Sequence, residues 1–482
     1  MRQYETVIGL EIHVELSTKS KIFCTCTTAF GGDPNTHCCP VCTGMPGTLP
    51  VLNRKVVESA ILAGLATKCS ISQSPKFDRK NYFYPDLPKA YQISQLYLPI
   101  CKNGFVDIIL PTGESKKIRI HEIHMEEDAG KLMHDPWDDC TLVDYNRCGV
   151  PLLEIVGEPD LRNAGEAISY LNKIKAILQY LGVSDCKMQE GSFRADINLS
   201  VRPIGQEQFG TRTEMKNMNS MKAIAKAIEK ESKRQIEAIE EGKKIRQETR
   251  RWDENKDASF AMRSKENAQD YRYFPDPDLL PCEISDEWIR TLEAQLPELP
   301  DRKKQRYINE YSLPLLDVEI LTATKKIADL FENTIASGSN PKEVSNWIMG
   351  DLMKLLKENQ IEADDVDINP AAFAKMLKLL KDNKINRNAA KEILSKLLQQ
   401  HIDLDEYIKS NNLEMVTDDN GIRECVSAVL ENNEQSLKDY LSGKEKAFLY
   451  LVGQVMKQMK GKANPASVHA ILKEEIEKIQ SE

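Results

Sequence analysis

Val7-Ile8-Gly9-Leu10-Glu11-Ile12-His13-Val14-Glu15-Leu16 alternates with a period of two, so Leu10, Ile12, Val14 and Leu16 share one face of a strand and Glu11, His13 and Glu15 share the other. One face is built for burial. The other displays carboxylate, imidazole, carboxylate in a row. A half-exposed strand with a polar outer face satisfies this pattern, yet two carboxylates flanking a histidine also suit a hard divalent cation such as Mg2+, which takes oxygen ligands and tolerates an imidazole.

Working outward, the same residue types recur at His121-Glu122-Ile123-His124-Met125-Glu126-Glu127-Asp128, after the strand-like Ile118-Arg119-Ile120. Three consecutive acids beside two histidines repel one another unless a cation or basic residues gather them. Glu154, in Pro151-Leu152-Leu153-Glu154-Ile155-Val156, is an acid inside an otherwise apolar strand, and a buried acid needs a partner. A hairpin pattern follows, with Arg194, Asp196, Asn198, Ser200 and Arg202 on one polar side, a turn from Pro203 to Gly210, and Arg212, Glu214 and Lys216 on the return. Both charge signs on one side fit phosphoryl transfer, where arginine and lysine meet phosphate oxygens while carboxylates hold metal. An exposed hairpin laced with ion pairs fits as well.

Five of the twelve cysteines crowd together as Cys24-Thr25-Cys26 and Cys38-Cys39-Pro40-Val41-Cys42. Cys24, Cys26, Cys39 and Cys42 form two close thiol pairs, the second at C-x-x-C spacing, as a tetrahedral structural Zn2+ requires, with Cys38 spare and His37 a substitute ligand. A redox dithiol at Cys39 and Cys42, or no metal, are the alternatives; no thioredoxin-like βαβ pattern surrounds the pair.

The chain has 482 residues, 41% hydrophobic and 29% charged, which excludes a disordered chain and allows about three domains. No apolar run is long enough to span a bilayer, and the first residues leave no room for a signal peptide, so a cytoplasmic protein without a membrane partner is expected. The net charge of −9 argues against indiscriminate nucleic-acid binding without excluding a local RNA footprint. There is no G-x-x-x-x-G-K-[ST] loop, no G-x-G-x-x-G fingerprint and no glutaminase nucleophile, so a nucleotide must be held by side chains and metal on a sheet.

Short alternating strands with Gly and Pro turns, broken by a few helices, give way near residue 285 to Leu, Ile, Lys and Glu at helical period. The reading is α+β followed by all-α, with domains at 1–292, 293–405 and 406–482. In the last of these, Lys444, Lys446, Lys457, Lys460 and Lys462 surround the apolar Phe448 to Val452 run, a cluster able to neutralise a few phosphates or simply to stay solvated.

Lys80-Asn81-Tyr82-Phe83-Tyr84-Pro85-Asp86-Leu87-Pro88-Lys89-Ala90-Tyr91-Gln92-Ile93-Ser94-Gln95 closely resembles the B subunit of the tRNA-dependent amidotransferases. The likeness extends through Gly9 to Leu16, His124 to Lys131, Asp144 to Arg147, Phe193 to Asp196, Glu214 to Ser220, Asp270 to Asp278 and the Gly453 to Lys457 tail. Relatives often carry glycine at the position of Ala90, a conservative departure. The resemblance implies a glutamine-synthetase-like cradle, a helical domain and a tail that touches tRNA. It implies ATP-dependent phosphorylation of the side-chain carboxylate of Glu-tRNA(Gln), Asp-tRNA(Asn) or both, then amidation with ammonia. By the same carry-over Glu11, His13, Glu127 and Glu154 become Mg2+ ligands with Glu126 close by. Lys80, Glu126, Arg194, Asp196, Glu214 and Lys216 match active-site motifs, and Lys457, Lys460 and Lys462 fall in the tRNA-binding end. The zinc cysteines place the chain among zinc-bearing members. The implied partners are the A subunit, an amidase that makes the ammonia, a small C subunit completing a heterotrimer, and tRNA.

Overall fold

In the computed structural model, which describes residues 3–110, 112–135, 138–264, 271–415, 419–459 and 462–481, the opening stretch forms one long strand, β1 (Tyr4–Glu15). Leu10, Ile12 and Val14 are at most 1% exposed, as the alternation requires. The chain divides into two compact units, 1–302 and 303–482.

The first unit continues with β2 (Ser70–Ile71), β3 (Asp78–Asn81), β4 (Tyr91–Ser94), β5 (Cys101–Ile109), β6 (Ser115–Glu127), β7 (Lys131–His134) and β8 (Thr141–Asp144). After these come β9 (Pro151–Gly157), β10 (Phe193–Pro203), β11 (Thr213–Lys216), β12 (Glu248–Asp253), β13 (Ala258–Ser264) and β14 (Phe274–Pro275). Among the described residues the main sheet has nine strands in the order β13-β12-β11-β10-β1-β9-β6-β5-β2, with β14-β3-β4 as a smaller sheet and β7-β8 as a separate ribbon. All pairs in the main sheet are antiparallel except β11 with β12.

Among the described residues of this unit, four helices start where side chains satisfy orphan amides. The side chain of Asn53 accepts from Lys55 N at the start of α1 (Arg54–Ala66), and Asn163 accepts from Glu166 N at the start of α2 (Ala164–Leu181). Ser220 and Ser285 do the same for α3 (Met221–Glu240) and α4 (Asp286–Glu293). Gly182, at φ 67°, ends α2 with its amide bonded back into the last turn. Helices α1, α2 and α3 pack on one face of the main sheet and bury Ile12, Ile123, Ile155 and Ile197 completely. Each such side chain contributes about 2 kcal/mol. The opposite, polar face of the central strands is thereby left for the site.

Beyond residue 292, Leu296 and Leu299 still pack against the first core, so that unit runs on to Arg302. The second unit is helical and holds two apolar clusters. One gathers Tyr307, Phe331, Trp347, Phe373 and Leu394 and extends through Leu404 and Ile408 to Leu413, so residue 405 lies within it. The other begins at Ile422 and joins Phe448, Leu451, Val468 and Leu472. Among the described residues no helix is long and apolar enough to cross a membrane.

Candidate active site

Register decides which side chains meet. His13 on β1 lies opposite Glu154 on β9 and Arg194 on β10, and Glu11 lies opposite Asp196. Glu154 in turn lies opposite His124 on β6, and Asn198 opposite Glu214 on β11. Partners across a ladder share a face, so five strands deliver one polar surface.

Two donor clusters form on it. His13, Glu126 and Glu154 place ligand atoms within 4.8 Å of one another, and so do Glu11, Asp196 and Glu214. His13 Nε2 is 3.7 Å from both the Glu126 and the Glu154 carboxylate. The consequence is electrostatic. Burial, together with the charge of Glu154 and its neighbours, raises the Glu11 pKa to about 7, and burial with Glu154 raises Glu126 to about 8. Burial opposes ionisation of Glu154 too, but His124 and His13 outweigh it and bring that carboxyl down to about 2. Both ring nitrogens of His124 are buried without a hydrogen-bond partner among the described residues. Oxygen-rich donors that repel one another fit hard divalent cations.

Cations line the margin. Lys216 Nζ lies 2.5 Å from Asp196 Oδ2 and 3.5 Å from Glu214 Oε1, and Arg194 donates to Asp128 Oδ2 at 2.8 Å. Lys80 reaches in from β3, its ammonium 5.0 Å from the Tyr271 ring and 5.8 Å from the Tyr82 ring. Burial works against its charge, but Tyr273, Glu126 and Glu154 prevail and its pKa stands above the ordinary lysine value. His13, Lys80, Glu126, Asp128, Arg194, Asp196 and Lys216 line a cleft of about 590 Å3.

Of the residues proposed from sequence, Glu11, His13, Glu126, Glu154, Lys80, Arg194, Asp196, Glu214 and Lys216 come together here. Glu127 does not. It follows Glu126 on the same strand and therefore points to the other side of β6, where its carboxylate accepts from Lys89 Nζ and from the Ile93 amide at 2.9 Å. Glu126 takes the place beside His13 that was expected for Glu127. Arg212 falls just outside β11, so the return strand is shorter than its alternation suggested. Asp128, Asn198, which donates to Glu11 Oε1 at 2.7 Å, and the tyrosines around Lys80 were quoted in the sequence without being proposed as site residues. Asn198 was visible in the alternation of β10, whereas the tyrosines stood only within the resembling stretches, and the pairing of β14 with β3 brings them together.

The four cysteines Cys24, Cys26, Cys39 and Cys42 place their sulfurs within 4.8 Å of one another. The Cys39 and Cys42 sulfurs are 3.9 Å apart, close to the edge of about 3.8 Å that a tetrahedral Zn–S bond of about 2.3 Å produces. Cys42 is pulled down to about 4, first by the Cys24 thiol, then by the Cys39 amide and Lys21 against the cost of burial. Lys21 is fully buried with Nζ 3.6 Å from Cys42 Sγ, a counter-charge that suits a thiolate centre. The donors fit zinc. Cys38 instead donates to the Asn35 carbonyl, and His37 Nδ1 lies 3.2 Å from the Ala29 carbonyl.

In the second unit Lys457 is exposed on a helix (Glu445–Gln458), and Lys462 donates to the Asn412 carbonyl. Lys460, like Asp270 of the 270–278 stretch, lies outside the described residues.

An α+β unit with two acidic clusters and a rim of lysine and arginine on one sheet face, followed by a helical unit, is the make-up of a catalytic subunit with a helical extension. Residues 6–290 match the family model described as the GatB/GatE catalytic domain, and residues 329–476 match the one described as the GatB domain. The chain belongs to the GatB family. The aspartyl/glutamyl-tRNA(Asn/Gln) amidotransferase B subunit of Lachnoclostridium phytofermentans is 63% identical over 478 residues, covering 99% of this chain and 100% of the relative. The proteins of the same name from Lachnospira eligens and Caldicellulosiruptor saccharolyticus are 58% and 56% identical over 480 residues, with at least 98% of this chain and 99% of each relative covered.

Proposed function

We infer that this chain is the B subunit of a tRNA-dependent amidotransferase, converting the side-chain carboxylate of Glu-tRNA(Gln), Asp-tRNA(Asn) or both into the amide. Full-length similarity to subunits of that name and membership of the GatB family support the reading. The observation that carries its chemistry is the pairing of two carboxylate clusters with Lys80, Arg194 and Lys216 on one cleft.

A carboxylate anion resists ammonia because it repels nucleophiles and offers no leaving group. Transfer of the terminal phosphoryl of ATP to it solves both problems, releasing ADP and leaving an acyl phosphate. Ammonia then adds to the acyl carbon, phosphate departs with the bonding pair, and a proton is lost from nitrogen. Lys80, Lys216 and Arg194 are placed to meet phosphate oxygens and spread their charge. His13, Glu126 and Glu154 form one candidate Mg2+ site and Glu11, Asp196 and Glu214 a second. Mg2+ held by these residues would supply neutralisation of phosphoryl charge. Cys24, Cys26, Cys39 and Cys42 would hold a structural Zn2+ that takes no part in the chemistry.

The remaining proposals rest on family likeness. They are a glutamine-synthetase-like cradle for the first unit, division of the second at its two apolar clusters, a tail that contacts tRNA through Lys457, Lys460 and Lys462, a cytoplasmic setting, and a complex with an amidase and a small third protein as its A and C subunits. In a purified complex given ATP, glutamine and misacylated tRNA, Glu11→Gln or Glu126→Gln is expected to cut amide formation by about 10²-fold or more while tRNA affinity stays within about twofold. Undiminished amide formation in either variant would reject the assignment of the cleft.

A further inference from the structure

The loop that carries the cysteines, 24–48, contains no helix and no long strand. Besides its bonds to the neighbouring 18–21 segment, it is laced to the distant segment 143–149. The Asn35 amide donates to Asp144 Oδ1 at 3.0 Å, Asn35 Nδ2 donates to the Val143 carbonyl at 3.0 Å, and the Tyr145 amide donates to Asn35 Oδ1 at 2.8 Å. Asn146 returns the grip. Its Oδ1 accepts from the His37 amide at 2.7 Å, and its Nδ2 donates to the Asp33 carbonyl at 2.7 Å. Cys148 donates through sulfur to the Cys42 carbonyl at 3.2 Å, within the cysteine centre itself.

The next residues tie this segment to the cleft. Arg147 Nε donates to the Ala129 carbonyl at 3.0 Å and its NH2 to the Gly130 carbonyl at 2.8 Å. The Gly149 amide donates to the Asp128 carbonyl at 2.9 Å. Gly130 is packed so closely that an added Cβ would stand 3.0 Å from the Asp144 carbonyl and from the Tyr145 ring. Asp128 holds Arg194, and both face the acidic cleft together with Ala129 and His134. The β7–β8 ribbon grows out of Gly130 at one end and Asp144 at the other, so both of its roots are set by the same contacts.

We infer that Asn146 and Asn35 are positioning residues through which the cysteine loop fixes the 128–130 rim of the cleft, so that the thiol centre acts on amidation by geometry. The inference rests on the proposed amidation for its kinetic readout only. A rim displaced by as little as about 1 Å costs up to about 10²-fold in rate, which makes a non-reacting brace kinetically visible.

The test uses the intact complex as purified, comparing wild type with Asn146→Ala and, because one variant alone could fold poorly, with Asn35→Ala. Each variant is expected to keep about one metal per chain by elemental analysis, to show faster amide hydrogen exchange at 129–135 and 141–147, and to lose about tenfold or more in kcat with KM for misacylated tRNA within about twofold. Removing the metal from wild type with a chelator is expected to reproduce the same exchange pattern, and removing it from Asn146→Ala to add little, since both act through one connection. Unchanged exchange at these segments in both variants, or losses from chelation and from Asn146→Ala that multiply, overturns the inference. If wild type forms no amide, the functional reading fails separately, and the exchange measurements still decide whether the brace exists.

Discussion

Glu126 and Glu127 are adjacent in sequence and opposite in role. Glu126 sits among His13 and Glu154, where burial and like charge keep its proton on to about pH 8. Glu127 is an ion-pair partner for Lys89, with both side chains nearly inaccessible to water. Removing one member of such a pair strands the other. Glu127→Gln is therefore expected to destabilise the metal-free protein by about 3 kcal/mol at pH 7, through the uncompensated Lys89 ammonium. Glu126→Gln exchanges an already protonated carboxyl for a neutral amide of the same shape and is expected to change stability by less than about 1 kcal/mol. Urea unfolding of the two variants side by side checks this, and a larger loss for Glu126→Gln would reverse the assignment of faces. The sequence shows that one of the two acids must face away. Which one is settled by the pairing of β6 with β9, an interaction between distant segments.

At the scale of elements, the polar face exists because three helices cover the other. Helix α3 is held to β10 and β11 by a buried cluster in which Glu231 accepts from Thr213 Oγ1 at 2.9 Å, from Gln235 at 2.9 Å and from Arg234 at 2.7 Å. Burial alone would raise the Glu231 pKa, but these donors and the Arg234 charge hold it below the usual carboxylate range. A carboxyl depressed on folding contributes stability above its unfolded pKa and loses it as pH falls through the folded one. Glu231→Gln is thus expected to cost about 2 kcal/mol at pH 7 and progressively less below about pH 4.5. Denaturant midpoints at pH 7 and pH 3.5 would show it, and a cost that does not shrink in acid would contradict the role of the charge. The elements themselves were largely legible: alternation announced β1 and β10, and the change to helical period near residue 285 marked the start of α4. The short β11 was not, because Arg212 keeps the alternation although its backbone has left the ladder.

For the whole molecule, the proposed chemistry belongs to the first unit and the proposed RNA contact to the second. If the helical tail meets phosphates, Lys446 and Lys457, both exposed, are the residues to neutralise. Replacing both by Gln is expected to flatten the dependence of log affinity on log salt by about 2, with kcat at saturating tRNA unchanged. An unaltered salt slope would remove the tail from the RNA surface.

The sequence by itself determined the α+β and all-α division, the strand faces, the cysteine pairs and most of the acidic residues, because these depend on local periodicity and residue chemistry. Only tertiary structure decided that the acids form two clusters, that Glu126 joins one while Glu127 leaves for Lys89, and that Asp128 and Lys80 reach the same cleft. The physical reason is that sheet register and the meeting of β3 with the main sheet are set by packing between segments far apart in the chain. No spacing along one strand encodes where its neighbour will stop.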